Sequence, residues 1–336
     1  MIYPDFIRRG DTVYVTAPSN GNADEIDFIR LDRAKAALRE RGVETLETPD
    51  VRKSEKGRSS DAKQRADEFT EAWLSGAKAV FAAKGGDFLM EMLTFVPFGE
   101  LCRRPKWFQG FSDNTSIGFI LSTCYDIASL YGDNFNTFAM EEWHKSVIDN
   151  WRILSGETVT QYSFDKYQDE WVQSETGKEG YVLDTPVKWK CINESGGVSV
   201  AGRLTGGCLD VLLNLAGTKY DHVKEYVKRY RRDGILWFIE SFSLGGADIE
   251  RGLWQLGEAG WFENVKGFVF GRPAFFTPEY DTTYDEALMN QLGKYNVPII
   301  TGADIGHKPP QFTVVNGAYG IFSCMDGKGS LDMKFV

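Results

Sequence analysis

A chain of 336 residues is long enough to bury two sizeable cores. With 42% hydrophobic and 14% aromatic residues it belongs with soluble globular proteins, which excludes a disordered or fibrous chain. A formal net charge of −10 excludes a generally polyanion-binding surface, so neither nucleic acid nor an anionic membrane is an expected partner.

The first residues, Met1–Arg9, place their charges after a short apolar stretch, the reverse of a secretory signal. Thr12–Ala17 reads as a buried strand ended by Pro18-Ser19-Asn20-Gly21. A helix follows, with Phe28, Leu31, Ala34 and Leu38 at helical spacing and Gly42 as its stop. A second helix starts at the cap Ser59-Ser60-Asp61 and runs through Ala66, Phe69 and Trp73 to Gly76. The strand Ala79–Ala83 is broken by Gly85-Gly86. Next come the strand Trp107–Gln109, a turn at Ser112, and a helix carrying Ile117, Ile120, Leu121 and Cys124. Ile127–Tyr131 is one more strand. Such alternation predicts a parallel sheet covered on both faces.

Residues from about 160 to 190 are polar and aromatic with little periodicity, and read as a linker or substrate loop. The second half is richer in strands. Val187–Ile192 and Val198–Leu204 flank Glu194-Ser195-Gly196-Gly197, a hairpin signal. Helices are expected at Leu209–Ala216 and Ile249–Leu256, and strands at Ile235–Ile239, Val265–Phe270 and Pro298–Thr301. A last hairpin turns at Asp326-Gly327-Lys328-Gly329. The basic run Lys228–Arg232 sits late in a helix, where it complements the dipole. The whole predicts a second α/β unit with a mixed or antiparallel sheet.

The five cysteines, Cys102, Cys124, Cys191, Cys208 and Cys324, are scattered and contain no CxxC pair. They read as reduced thiols, neither a disulfide frame nor a zinc site. No apolar run approaches the ~20 residues that span a bilayer. The expectation is a cytoplasmic protein with no metal and no cofactor.

Ser112 stands between a strand and a helix with Gly110 two residues before it. A sharp strand-to-helix turn projects a serine Oγ above the sheet and aims the next N–H where an oxyanion forms. The sequence reads Gly-x-Ser-Asp-Asn and so meets the hydrolase elbow only in part. A helix N-cap is the alternative. Of three histidines, His144 lies in a charged stretch and reads as a surface residue, and His222 lies beside a helix start. His307, in Gly306-His307-Lys308-Pro309-Pro310, follows an apolar strand on a rigid loop and is the candidate base, or else an idle loop residue. Glu240 ends an apolar strand, so it either faces solvent or needs a partner, and an imidazole is a suitable one. Gly85-Gly86 ends a strand where bare backbone can approach a ligand. Gly86 is a candidate oxyanion donor beside Asp113; Asp87 or Gly85 could supply the N–H instead, and a plain tight turn is the alternative. The pair is no phosphate loop.

Together Gly10–Thr12 with Ala17–Ser19, Gly110-Phe111-Ser112-Asp113, Glu240 after its strand, Gly306-His307-x-x-Pro310 and Gly202–Leu209 resemble the LD-carboxypeptidase and microcin C immunity family of serine peptidases. The resemblance runs from about residue 4 to residue 320. It implies a flavodoxin-like N-terminal domain over residues 1–160, a linker and substrate loop over 161–186, and a smaller β-rich α/β C-terminal domain over 187–336. It further implies Ser112 as nucleophile, Glu240 as acid, His307 as base, the Asp113 and Gly86 N–H groups as oxyanion hole, and a homodimer. Lys84-Gly85-Gly86-Asp87-Phe88 departs from the family's usual residues, as does Val315-Asn316-Gly317. The aromatic insertion (Tyr162, Phe164, Tyr167, Trp171, Tyr181, Trp189) suits stacking of a purine. It favours the immunity-like branch, which cuts an amide in a peptidyl- or aminoacyl-nucleotide, with Trp171 and Trp189 touching substrate. The same aromatics can instead pack the loop down. Release of terminal D-alanine from muropeptides is the alternative activity, and an inactive binding protein the alternative of another class.

Overall fold

The computed structural model describes residues Met1–Val336. Its strands, in chain order, are β1 (Thr12–Thr16), β2 (Glu44–Glu47), β3 (Ala79–Ala82), β4 (Trp107–Gly110), β5 (Ser129–Tyr131), β6 (Gln161–Tyr162), β7 (Lys166–Tyr167) and β8 (Thr185–Pro186). Then follow β9 (Lys190–Cys191), β10 (Val198–Cys208), β11 (Ile235–Glu240), β12 (Val265–Gly271), β13 (Ile299–Ala303), β14 (Val314–Asn316), β15 (Tyr319–Met325) and β16 (Lys328–Lys334).

The first sheet has the order β14-β5-β4-β3-β1-β2, with β1 to β5 all parallel. That is the flavodoxin-like order, extended by one antiparallel strand, β14. In this topology the carboxyl ends of β1, β3, β4 and β5 share one edge, the usual place for a ligand. The second sheet has eight strands to the first sheet's six, in the order β6-β16-β15-β10-β11-β12-β13-β9. It is mixed: β10 to β13 are parallel and the outer strands antiparallel.

One expectation needs correction, and other pairings were not anticipated. The turn Glu194–Gly197 does not close a hairpin, because β9 pairs with β13 and β10 pairs with β11 and β15. Within residues 161–186, read as a linker or substrate loop, β6 adds to the edge of β16, and β7 pairs with β8. Strand β14 was not foreseen at all. Its partner β5 lies far back in the chain, so no local pattern announces the pairing.

Burial explains how the sheets hold one another. Side chains along a strand alternate between faces. On β11, Leu236 and Phe238 enter one apolar cluster, while Ile235, Trp237 and Ile239 enter another. On β3, Phe81 belongs to the first cluster and Val80 to the second. Each core thus draws on both sheets. The helix Thr115–Tyr125, which follows Ser112, stacks Phe119 on Trp261 at 5.2 Å, and Trp261 stacks on Trp237 of β11 at 5.7 Å. The strand that ends in Glu240 and the turn that holds Ser112 are therefore packed through one aromatic column.

A buried polar network ties β14's approach to the first sheet. Asn150 Nδ2 donates to Thr313 Oγ1 (2.8 Å) and Gln109 Oε1 (3.1 Å), and Gln109 Nε2 donates to the Asp133 carbonyl (2.8 Å). Asn150 and Gln109 are both fully buried. Replacing Asn150 with Ala strands these partners in a dry interior, where each unmet group costs about 1–3 kcal/mol. Urea denaturation of Asn150→Ala is expected to show a lower midpoint at unchanged slope, a loss of about 2 kcal/mol.

Candidate active site

Ser112 has φ +63°, a left-handed backbone conformation that a non-glycine residue adopts at a cost. Two contacts hold it there. Thr115 Oγ1 donates to the Ser112 carbonyl (2.6 Å), and the same hydroxyl accepts from the Cys208 N–H at the end of β10 (3.1 Å). The strained turn lifts Oγ off the sheet edge. The hydroxyl meets no backbone N–H and so caps no helix; it lies 2.9 Å from His307 Nε2.

His307 sits on the loop between β13 and β14, with its ring flanked by Phe111 and Phe242 at 5.0 and 4.6 Å between centroids. Its other nitrogen, Nδ1, lies 2.8 Å from Glu240 Oε2. The loop is pinned by Arg272, whose Nη2 donates to the carbonyls of Lys308 (2.8 Å) and Pro310 (3.2 Å), while Nη1 pairs with Asp304 (2.7 Å). Asp304 is fully buried, and burial pushes its carboxyl up despite the Arg272 charge beside it. Gly306 is required by its neighbours. Its φ is +99°, and a Cβ there would stand 2.6 Å from Glu240 Oε2.

Glu240 is 0% exposed, and a carboxylate so placed demands partners. It has two: His307 Nδ1, and the hydroxyl of Tyr131 at the end of β5, which donates to Oε1 at 2.5 Å. Burial and the Glu240 charge both push the Tyr131 hydroxyl well up, which keeps it a neutral donor. The arrangement is chemically competent. Nε2 can take a proton from Ser112 Oγ while Glu240 holds the ring by Nδ1–H and balances the charge that the ring gains.

Gly86 and Asp113 are the candidate oxyanion residues, with Gly85 and Asp87 as alternatives to Gly86. Neither the Gly86 nor the Asp113 N–H has an acceptor in the protein, and the same holds for Gly85 and Asp87. It is Gly85 that closes on the serine: a Cβ on it would stand 3.1 Å from Ser112 Oγ. A Cβ on Gly86 would meet Ser19 Oγ at 2.3 Å. The Asp113 carboxylate fastens this rim, accepting from Ser19 Oγ (2.5 Å) and the Leu89 N–H (2.8 Å). Burial pushes it up.

The two tryptophans expected at the substrate differ in exposure. Trp171 is 75% exposed. Trp189 is 1% exposed, its indole N–H donating to Asp304 (2.9 Å) and its ring packed by Phe312 and Phe322. So buried, it cannot stack on a substrate, and it serves instead to dock the insertion. Tyr167 lies under Arg272 and Phe164 packs on Phe312, so most of the aromatic insertion is held down. His144, expected in solvent, is half-buried against Phe164 and Tyr181 and caps the helix Lys145–Leu154. Tyr131, Phe242 and Arg272 were missed. Only Tyr131 had a signal, its place at the carboxyl end of a parallel strand.

Behind the site, burial pushes the Asp133 carboxyl up to about 6, opposed in part by the amide of Gln311 at 3.0 Å. A raised carboxyl binds protons more tightly when folded, so stability is full below the ordinary value of 3.8 and falls as pH rises to about 6. The loss above that range is about 3 kcal/mol. Asp133→Asn, which keeps the oxygen that Gln311 needs, is expected to melt higher than the parent at pH 8 and equally at pH 3.5, as followed by circular dichroism.

Residues 13–132 match the LD-carboxypeptidase N-terminal domain, and residues 201–320 match the LD-carboxypeptidase C-terminal domain. A Vibrio cholerae protein carrying the name carboxypeptidase is 26% identical over 100% of this chain and 99% of its own. The microcin C7 self-immunity protein MccF of Escherichia coli is 24% identical over 86% of this chain and 83% of that protein. The solved structure of MccF in complex with aspartyl sulfamoyl adenosine superposes with TM-score 0.79 at 21% identity, covering 99% of both chains. The fold is thus the one MccF adopts. The chain belongs to the LD-carboxypeptidase family and is a serine peptidase.

Proposed function

We propose that Ser112, His307 and Glu240 form the catalytic triad, and that it cleaves an amide in a peptidyl- or aminoacyl-nucleotide-like substrate. The observation that carries this is the unbroken relay from Ser112 Oγ to His307 Nε2 at 2.9 Å and from Nδ1 to Glu240 Oε2 at 2.8 Å. Oγ attacks the amide carbonyl as its proton passes to His307. The Asp113 and Gly86 N–H groups stabilise the oxyanion, His307 returns the proton to the leaving amine, and water then releases the acyl group.

Three features support the nucleotide reading: the likeness to MccF, which has been solved with aspartyl sulfamoyl adenosine, the insertion over residues 161–186 beside the His307 loop, and exposed Trp171 upon it. The insertion reaches that loop through the Gln168 N–H on the Pro309 carbonyl (2.8 Å) and an ion pair of Asp169 with Lys308. In this reading residues 1–160 carry the nucleophile, 161–186 meet the substrate, and 187–336 carry the acid and base. The protein acts as a homodimer in the cytoplasm, a compartment that suits five free thiols. The murein reading has its own support, the 24% identical murein peptide carboxypeptidase of Bacillus subtilis, whose match covers 94% of this chain.

Hydrolysis of an aminoacyl-sulfamoyl adenosine and of a muropeptide tetrapeptide, measured side by side, separates the two substrates. The first is expected to turn over faster, and the opposite order assigns the enzyme to murein. Ser112→Ala is expected to lose about 10⁶ in kcat, the scale seen on removing a triad serine elsewhere. A rate near that of the parent would falsify the triad. Tyr131→Phe removes one donor from the Glu240 carboxylate and is expected to lower kcat/KM about tenfold.

A further inference from the structure

One group beside Ser112 has its direction fixed and its donor unused. Asn134 lies just beyond β5 on the sheet edge that carries Ser112, and it is 8% exposed. Its Oδ1 accepts from the Phe111 backbone N–H (3.2 Å) and from Asn114 Nδ2 (3.2 Å). A backbone N–H can only donate, so the oxygen end of this amide is settled and Nδ2 points the other way. That way is Gly85. A Cβ built on Gly85 would stand 3.8 Å from Asn134 Nδ2, 3.0 Å from Ser112 Cβ and 3.1 Å from Ser112 Oγ. A side chain there would crowd the serine, and glycine lets the serine hydroxyl and the Asn134 amide both border this point. Nδ2 has no acceptor within the protein.

We propose that Asn134 Nδ2 donates a hydrogen bond to an oxygen of the acyl group that Ser112 attacks. The inference rests on the reading of Ser112 as nucleophile and adds to it a side-chain donor on the β5 side. As the Oγ–C bond forms, the C=O electron pair moves onto oxygen and the Oγ proton goes to His307. An N–H held beside Gly85 and Ser112 by a backbone contact needs no rearrangement to meet the new charge. It also makes the site selective for groups that present an oxygen at that point.

Two substitutions separate this role from a structural one. Asn134→Asp keeps an oxygen for the Phe111 N–H and removes the donor, whereas Asn134→Ala removes both. The probe is a fluorophosphonate, whose phosphonyl oxygen occupies the place of the reacting carbonyl oxygen, and the reading is the second-order rate of Ser112 labelling. Both variants are expected to label at least tenfold more slowly than the parent, on the scale of a lost oxyanion donor, roughly 10². Only the Ala variant is expected to melt lower. Labelling of Asn134→Asp within tenfold of the parent overturns the proposal, because the oxygen end alone would then account for the residue. Ser112→Ala runs alongside. If it stays unlabelled while Asn134→Asp labels normally, the donor role fails and the triad stands. If Ser112→Ala labels like the parent, the nucleophile assignment fails and the donor role with it.

Discussion

The carboxylate of Glu240 is the constraint on which the rest depends. It closes an otherwise apolar strand and is 0% exposed, so in water-free surroundings its charge must be met by donors. Those donors come from two separate places: Tyr131 on the first sheet and His307 on a loop that leaves the second. A buried charge is ordinarily a poor source of stability. Here it fixes geometry, since both partners must arrive before the strand end can be buried at all.

Once the imidazole is held by Glu240 and flanked by Phe111 and Phe242, its second nitrogen has little freedom, and Ser112 is brought to it by the strained turn. The cost of that turn falls on the surrounding packing. The Phe119–Trp261–Trp237 column and the Thr115 hydroxyl, bonded to both Ser112 and Cys208, supply it. Arg272 and buried Asp304 do the same for the histidine loop, and Trp189 joins them from the insertion. The reacting atoms are few, but each stands on a separate rigid support.

How much of this was legible beforehand differs by residue. Ser112, Glu240 and His307 each stand where an apolar strand gives way to a turn or loop, a local pattern, and the short motifs around them carry a family resemblance. That β1, β3, β4 and β5 run parallel followed from strand–helix alternation, whereas β2 and the strand order did not. What escaped was long-range. Nothing near Val314 says that it will pair with Tyr131, and nothing near Glu194 says that β9 and β10 will part. Trp189 misled because its type and segment suited stacking, while its burial depends on Asp304, Phe312 and Phe322, all far along the chain. The gap is tertiary packing, which composition and periodicity do not encode.

Strand β14 has a consequence for how the chain can be divided. It comes from the far end of the sequence yet covers β5, the edge of the first sheet. A fragment ending before residue 314 therefore leaves β5 with a bare row of N–H and C=O groups, a template for joining another chain. One ending before residue 240 also leaves Tyr131 facing no carboxylate. The first half of this protein is no independent module: cut free, it carries its serine on a sheet with an unguarded, aggregation-prone border.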